Sequence, residues 1–255
     1  MNENYYYCDV TLATRYTDFD FCDGLRLSSY LSLIQEAGSL SANEMGIGSD
    51  FLWPRGWGFI VTNTYLKIFR PVRTGERLTV RTWPLPPRKV IFERDCEIYG
   101  ESGEKVAACV SRWCLFDLKN QKILSDAALP DRDYSRYSSR QAFEFCDWKI
   151  PAFSLDGATP DYALRVHHAD CDRYKHVNNA KYADYCLNCF SGEELEKRRV
   201  TGFHITYEKQ CKEGEYLSFY RRETAKNEWS VMGVKEDKSI FMRARITLEE
   251  RSTEE

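Results

Sequence analysis

The chain carries one pattern twice, and this constrains its fold more than any single motif. Asp18, Asp20 and Tyr30 recur as Asp170, Asp172 and Tyr182 at a common shift of 152 residues. Farther on, "KIFRPVRTGERL" (67–78) aligns with "TYEKQCKEGEYL" (206–217) at a shift of 139, matching Gly75, Glu76 and Leu78 with Gly214, Glu215 and Leu217. A chain built from two versions of one supersecondary unit inherits its architecture from that unit. In the first copy Leu27, Tyr30, Leu31, Ile34, Ala37, Ser41 and Met45 fall near helical spacing before Gly46 and Gly48, which predicts a long buried helix. Four β-rich runs follow it, "WGFIVTNTYLKIF", "RLTVRTW", "KVIFERDCEIYG" and "KVAACVSRWCLFDL", separated by Pro and Gly turns. In the second copy Asn178 or Asn179 caps a helix expected from Ala180 to about Phe190, with Gly192 after it. Strands are expected at "TGFHITYEKQC", "YLSFYRRET", "EWSVMGVKE" and "SIFMRARITLE". Each half therefore reads as a strand, a helix and an antiparallel meander, an α+β arrangement. The halves span 1–125 and 161–250, joined by a linker at 126–160 and followed by an acidic tail at 251–255. Phe143, Phe145 and Trp148 predict that the linker packs, and the closing "EERSTEE" reads as a frayed end.

Composition narrows the class. Hydrophobic residues make up 43% of the 255, yet no apolar run approaches the roughly 20 residues that span a bilayer, so a soluble protein without membrane partners is expected. The opening Met1-Asn2-Glu3-Asn4 lacks the basic and apolar segments of a secretory signal, and the ten cysteines are irregularly spaced. Free thiols in a reducing cytoplasm are the expectation. A net charge of −3 does not favour nucleic acid, but residues 67–95 hold eight basic side chains against three acidic ones, a net +5. That stretch is either a solvated strand face or a docking surface for an acidic partner.

Chemistry concentrates at "DRYKHVNNAKY" (172–182). A helix start offers unpaired N–H groups and a positive dipole end, which can receive a developing oxyanion beside a carboxylate or imidazole. Singly, Asp172, His176 and the Asn178-Asn179 pair are explained by a turn, a surface histidine and a cap. The first copy is an internal control. Asp20 matches Asp172, but Gly24 occupies the position of His176, and Arg26-Leu27 those of the two asparagines. "HHADCDRYKH" and Cys186-x-x-Cys189 also invite a metal reading. It fails because no second CxxC pair exists and one helical turn separates Cys186 from Cys189, so no metal is expected. No Gly-rich phosphate loop appears and no cofactor is expected.

A helix embraced by an antiparallel sheet, present twice, is the arrangement of a tandem (double) hotdog. Nearly the whole chain, from about Tyr7 to Glu249, resembles the acyl-(acyl carrier protein) thioesterases of plants and bacteria. The resemblance rests on "TRYTDFDFCDGLRLSSYLSLIQEAG", "LFDL" and "HADCDRYKHVNNAKYADY". It implies hydrolysis of fatty acyl thioesters on acyl carrier protein, ending chain elongation. The family pattern is Asp-x-Asn-x-His, then Val-Asn-Asn, with an acid-Cys or acid-Ala pair on a following strand. Asp172, His176, Val177, Asn178, Asn179 and Cys211 match it; Tyr174 replaces the asparagine and Gln210 the acid. Two mechanisms are open: water activated by Asp172 with His176 in support, or a Cys211 thiolate generated beside His176. The first is preferred, because a small buried cysteine is more often inert than nucleophilic.

With its catalytic positions blank, the first half is expected to hold the acyl chain. Candidate lining groups are Leu33, Ile34, Ala37, Met45, Trp53, Trp57, Phe59 and Val61. Acyl carrier protein is acidic, so Arg70, Arg73, Arg88 and Lys89 are candidate contacts. An acyl-coenzyme A thioesterase and a non-catalytic acyl-binding protein are the competing readings, and the sequence leaves a homodimer open.

Overall fold

In a computed structural model, residues 5–130, 134–144 and 147–251 are described. Phe145 and residues 252–255, about which the sequence raised expectations, lie outside them. The chain divides into two compact units. One holds the described residues up to Tyr16 and from Leu31 into the linker; the other holds Thr17–Tyr30 and the described residues from Asp147 onward. The linker is thus shared out, and Thr17–Tyr30 joins the second unit rather than the first half of the sequence partition.

The first unit is an antiparallel sheet of β1 (Cys8–Ala13), β2 (Trp57–Ile68), β3 (Arg77–Pro84), β4 (Phe92–Tyr99), β5 (Lys105–Asp117) and the short β6 (Lys122–Leu124). Its strand order is β1-β3-β4-β5-β2, with β6 paired to β5. Helix α1 (Leu27–Glu44), which belongs to this unit from Leu31 onward, buries Leu31, Ile34, Ala37 and Ser41 there, and Leu27 and Tyr30 in its first turn, the stripe expected from its spacing. Fully burying a side chain such as Leu or Ile contributes about 1.5–3 kcal/mol, which helps fix this face on a sheet. Gly46, at φ +71, ends the helical run in a left-handed conformation that costs glycine little. A short α2 (Ser49–Leu52) follows, which the sequence reading did not foresee.

The second unit repeats the plan. Strands β7 (Tyr162–Arg165), β8 (Arg198–Tyr207), β9 (Tyr216–Ala225), β10 (Glu228–Lys235) and β11 (Ile240–Glu250) are ordered β7-β9-β10-β11-β8, the first unit's order strand for strand. Each unit is a hotdog, as expected. The second helix is shorter than expected: α3 runs Lys181–Leu187, and tight turns from Cys186 to Cys189 and from Leu187 to Phe190 end it. Gly192 opens another helix, α4 (Gly192–Lys197), instead of stopping the first, because Ser191 and Glu194 form a reciprocal capping box. The buried face of α3 joins an aromatic cluster: Tyr182 lies 5.8 Å from Phe241 and Tyr185 5.7 Å from Phe219 by ring centroids.

Several of the repeated identities are turn residues. Gly75 and Gly214 have φ +82 and +89. The carboxylates that follow them, on Glu76 and Glu215, accept the N–H of Arg73 at 3.0 Å and of Lys212 at 2.8 Å. Glu249 and Glu250 are not part of a frayed end. They close β11 opposite Arg199 and Arg198, with Arg198 Nε 3.1 Å from Glu250 Oε1. The linker packs at Phe143, whose ring is 5.3 Å from Tyr65, and at Trp148, 6.1 Å from His204.

Candidate active site

Asp172 and His176 close one tight turn in the second unit through their backbones. The Asp172 N–H donates to the His176 carbonyl at 2.8 Å, and the Lys175 N–H to the Asp172 carbonyl at 2.9 Å. Lys175 takes φ +62 to close the turn. One carboxylate oxygen of Asp172 accepts the Tyr174 N–H at 2.8 Å, an Asx turn that ties the acid into the loop. Short bridges Cys171–Val177 and His176–Lys212 extend the turn, and the Val177 N–H donates to the Cys211 carbonyl at 2.8 Å.

The first copy builds the same loop. Asp20 and Gly24 exchange the equivalent backbone bond at 2.8 Å, Asp23 takes φ +55, Phe19 bridges Leu25, and the Arg26 N–H meets the Asp18 carbonyl as the Asn178 N–H meets that of Asp170. The side chains differ. Asp20 spends one oxygen on two amides, those of Cys22 and Gly24, whereas Asp172 spends one on Tyr174 alone. The duplicated turn thus leaves Asp172 with more acceptor capacity, next to an imidazole where the first copy has a bare glycine.

Burial, followed by the nearby Lys212 ammonium, holds the His176 pKa below its ordinary value, while the Asp172 carboxylate pulls the other way. The imidazole is therefore neutral at neutral pH. Lys212 was not singled out in the sequence; its one signal there is its place directly after Cys211.

The remaining sequence candidates fall out differently. Asn178 is committed to structure, its side-chain carbonyl accepting the Ala180 N–H at 2.9 Å and its backbone carbonyl the Lys181 N–H at 2.9 Å. These bonds consume amides that the helix start was expected to offer, whereas the Asn179 amide has no acceptor among the described residues. Tyr174 is 40% exposed, so its side chain stands out in solvent. Gln210 and Cys211 lie on the connection after β8, not on a strand. The Gln210 carbonyl accepts from Lys235 Nζ at 2.8 Å. Cys211 is wholly buried and burial pushes its thiol up to about 11, which disfavours a thiolate.

In the first unit Ile34, Ala37 and Val61 are buried. Met45, Trp57 and Phe59 pack on a cluster of Ile47, Leu52, Leu115 and Leu129. Leu33 is half-buried and Trp53 is 46% exposed, which removes Trp53 from a deep lining. Three of the eight basic side chains at 67–95 are held in local ion pairs. Arg70 pairs with Glu76 and Glu104, Arg81 Nε with Asp9 at 2.7 Å, and Arg88 with Glu93 at 2.7 Å. Arg94 is half-buried and donates to Ser41 Oγ at 3.0 Å. Arg73 and Lys89 remain exposed.

Two family models match the chain: the Acyl-ACP thioesterase N-terminal domain over residues 7–127 and the Acyl-ACP thioesterase C-terminal domain over 155–250. A chloroplastic acyl-[acyl-carrier-protein] hydrolase of Cuphea viscosissima is 26% identical over 168 residues, which cover 64% of this chain and 39% of that protein. An acyl-ACP thioesterase structure from Bacteroides thetaiotaomicron superposes with a TM-score of 0.88 at 19% identity, covering 98% of this chain and 100% of that one. The 12:0-ACP thioesterase from Umbellularia californica gives 0.82 at 19% identity, covering 96% and 98%. At these identities the two structures speak to fold.

Proposed function

The chain belongs to the acyl-ACP thioesterase family, and on that premise we propose that it hydrolyses a fatty acyl thioester carried on acyl carrier protein, releasing the fatty acid and the carrier thiol. The observation that carries this reading is the matched pair of turns, one holding Asp172 beside a neutral His176 and the other holding Asp20 beside Gly24.

In the reading we favour, Asp172 accepts a proton from water as the oxygen attacks the thioester carbonyl; when the tetrahedral intermediate collapses the C–S bond breaks and that proton passes to the departing sulfur, giving the carrier thiol and returning Asp172 to its ionised form. The neutral imidazole and the Asn179 amide supply hydrogen bonds for the negative charge that develops on the carbonyl oxygen. Tyr174 and Asn178 act as turn formers. Gln210, which has no basic group, holds its segment through Lys235. The first unit holds the acyl chain, with Ile34, Ala37, Met45, Trp57, Phe59 and Val61 as its lining. The nine described cysteines are free thiols, which suits a reducing compartment such as the cytoplasm.

A thiol-release assay across acyl lengths, on carrier-linked and coenzyme A-linked substrates, tests the proposal. Release from the carrier substrate is expected, with Asp172→Ala and His176→Ala each lowering turnover at least ~100-fold. Faster release from coenzyme A would reassign the substrate. Acyl binding without any release would make this an acyl-binding protein, a reading that the Tyr174 and Gln210 departures favour.

A further inference from the structure

In the first unit, strand β4 sends a cation toward the helix that lines the proposed acyl slot. Arg94 Nη1 donates to Ser41 Oγ at 3.0 Å and to Thr82 Oγ1 at 3.3 Å, and Nη2 reaches the Met45 thioether at 3.7 Å. All three partners are neutral, and Arg94 enters no ion pair among the described residues. The acids of its own strand alternate with it and face the other way. Glu93 is 2.7 Å from Arg112, Glu97 is 2.7 Å from Arg140, and Asp95 accepts the Ala142 N–H at 2.6 Å. Desolvation lowers the Arg94 pKa to about 10, so the cation persists at neutral pH. Its Nε–H has no acceptor among the described residues, which leaves the Nε–Nη2 edge open but for the weak thioether contact.

The second unit shows that the fold does not demand a charge here. Gly38 corresponds to Phe190 by the shift of 152 that relates Tyr30 to Tyr182. On the sheet, the shift of 139 that relates Leu78 to Leu217 carries Pro84 to Glu223, whose strand partners are Arg94 and Trp229 respectively. Phe190 and Trp229 are both buried and meet edge to face at 5.8 Å between ring centroids. In the first unit a Cβ on Gly38 would sit 3.5 Å from Arg94 Cδ. Two apolar rings thus fill in one unit the place that a glycine and an arginine hold in the other. The same sheet shift carries Thr82 to Arg221, and that arginine comes with carboxylates, Glu194 at 2.8 Å and Asp161 at 3.5 Å. Arg94 comes with none among the described residues.

We infer that Arg94 receives a carboxylate carried by the acyl chain itself, so that the protein accepts chains bearing an acid group away from the thioester; this rests on the hydrolase reading above. The Nε–Nη2 edge presents two parallel N–H groups, the fork that a carboxylate accepts in a bidentate pair, and the pair neutralises a charge that the fold leaves uncompensated. Ser41 and Thr82 hold the guanidinium from its other side. A plain hydrocarbon end offers that edge no acceptor. The buried Ile34 and Ala37 on the same helix, with Met45 just beyond it, suit a ligand that is apolar up to its charged group better than they suit a small inorganic anion.

The test uses N-acetylcysteamine thioesters of a series of α,ω-dicarboxylic acids, each beside the thioester of the monocarboxylic acid of equal length. The readout is kcat/KM on the acid-ended chain divided by that on the plain chain, a ratio that discounts general damage to the site. At its best length the unmodified protein is expected to cleave the acid-ended chain at least as well as the plain one. Arg94→Met is expected to lower the ratio at least ~10-fold, the order of losing a charge-assisted pair, and Arg94→Lys to recover part of it. An acid-ended chain that is rejected at every length overturns the inference, as does a ratio that Arg94→Met leaves unchanged. So does a ratio that falls only because the plain chain gains, which would make Arg94 a barrier to apolar chains and no receptor. Calorimetry with the amide analogues, in which nitrogen replaces the thioester sulfur, reads binding without turnover. If no thioester is cleaved yet the acid-ended amide binds and loses affinity at least ~10-fold in Arg94→Met, the hydrolase reading falls and the carboxylate site stands; equal affinity removes the site.

Discussion

His176 shows how far a single side chain can be read from both directions. Its position was legible because the first copy has glycine there, but its ionisation was not, because the nearby ammonium of Lys212 reaches it only through a bridge between distant segments. A lowered pKa means the neutral form persists to lower pH, so the acid limb of kcat/KM is expected below pH 6.5. Lys212→Met removes one of the causes of that depression and is expected to move the limb upward. The measurement is a pH–rate profile on the N-acetylcysteamine thioester, which involves no carrier; a limb that stays put or moves down would rule out the assigned role of Lys212. Cys211 was equally visible as a family match, whereas its complete burial shows only in the structure. Cys211→Ala is expected to retain most of the turnover. Mass spectrometry showing acyl on Cys211 would displace water as the nucleophile.

Among the elements, strands were the easiest to foresee, since alternation and Pro or Gly turns mark their ends directly. The helix of the second unit was overestimated because its apolar run continues into Cys189 and Phe190, which are buried by tight turns and not by further helix. Gln210 and Cys211 looked like strand residues for a similar reason: register and bulges depend on partners that local pattern does not reveal. The β10–β11 pairing shifts register between Gly233 and Val234. A Cβ on Gly233 would sit 2.4 Å from the Phe241 ring and 2.8 Å from Met242. That ring packs on Tyr182 and Phe219, so it has little room to retreat. Gly233→Ala is expected to cost about 1–3 kcal/mol, read as a lowered Tm, and Phe241→Leu should relieve part of the loss. If Gly233→Ala melts like the unmodified protein, the packing account of this register shift is wrong.

At the scale of the whole molecule, stability is expected to depend on pH through Asp95. Burial pushes its carboxyl up to about 7, although it accepts the Ala142 N–H at 2.6 Å. Since the folded value lies above the unfolded one near 3.8, the favourable contribution is present below pH 4 and is lost as pH rises through 7. Asp95→Asn is therefore expected to raise stability at pH 8 by about 1–3 kcal/mol and to give no gain near pH 4, as thermal melts at both pH values would show. A gain of equal size at both would point to packing instead. The duplication was legible from a handful of identities because those residues, Asp20 and Asp172, Gly75 and Gly214, Glu76 and Glu215, are the ones that bend the backbone. The partition into units was less so, since Thr17–Tyr30 leaves its sequence neighbours for the other unit. The twin turns carry one more implication. Their shape is written in an aspartate and a left-handed residue, while reactivity is written in the side chains between and just after them. The second text can therefore be rewritten without disturbing the first.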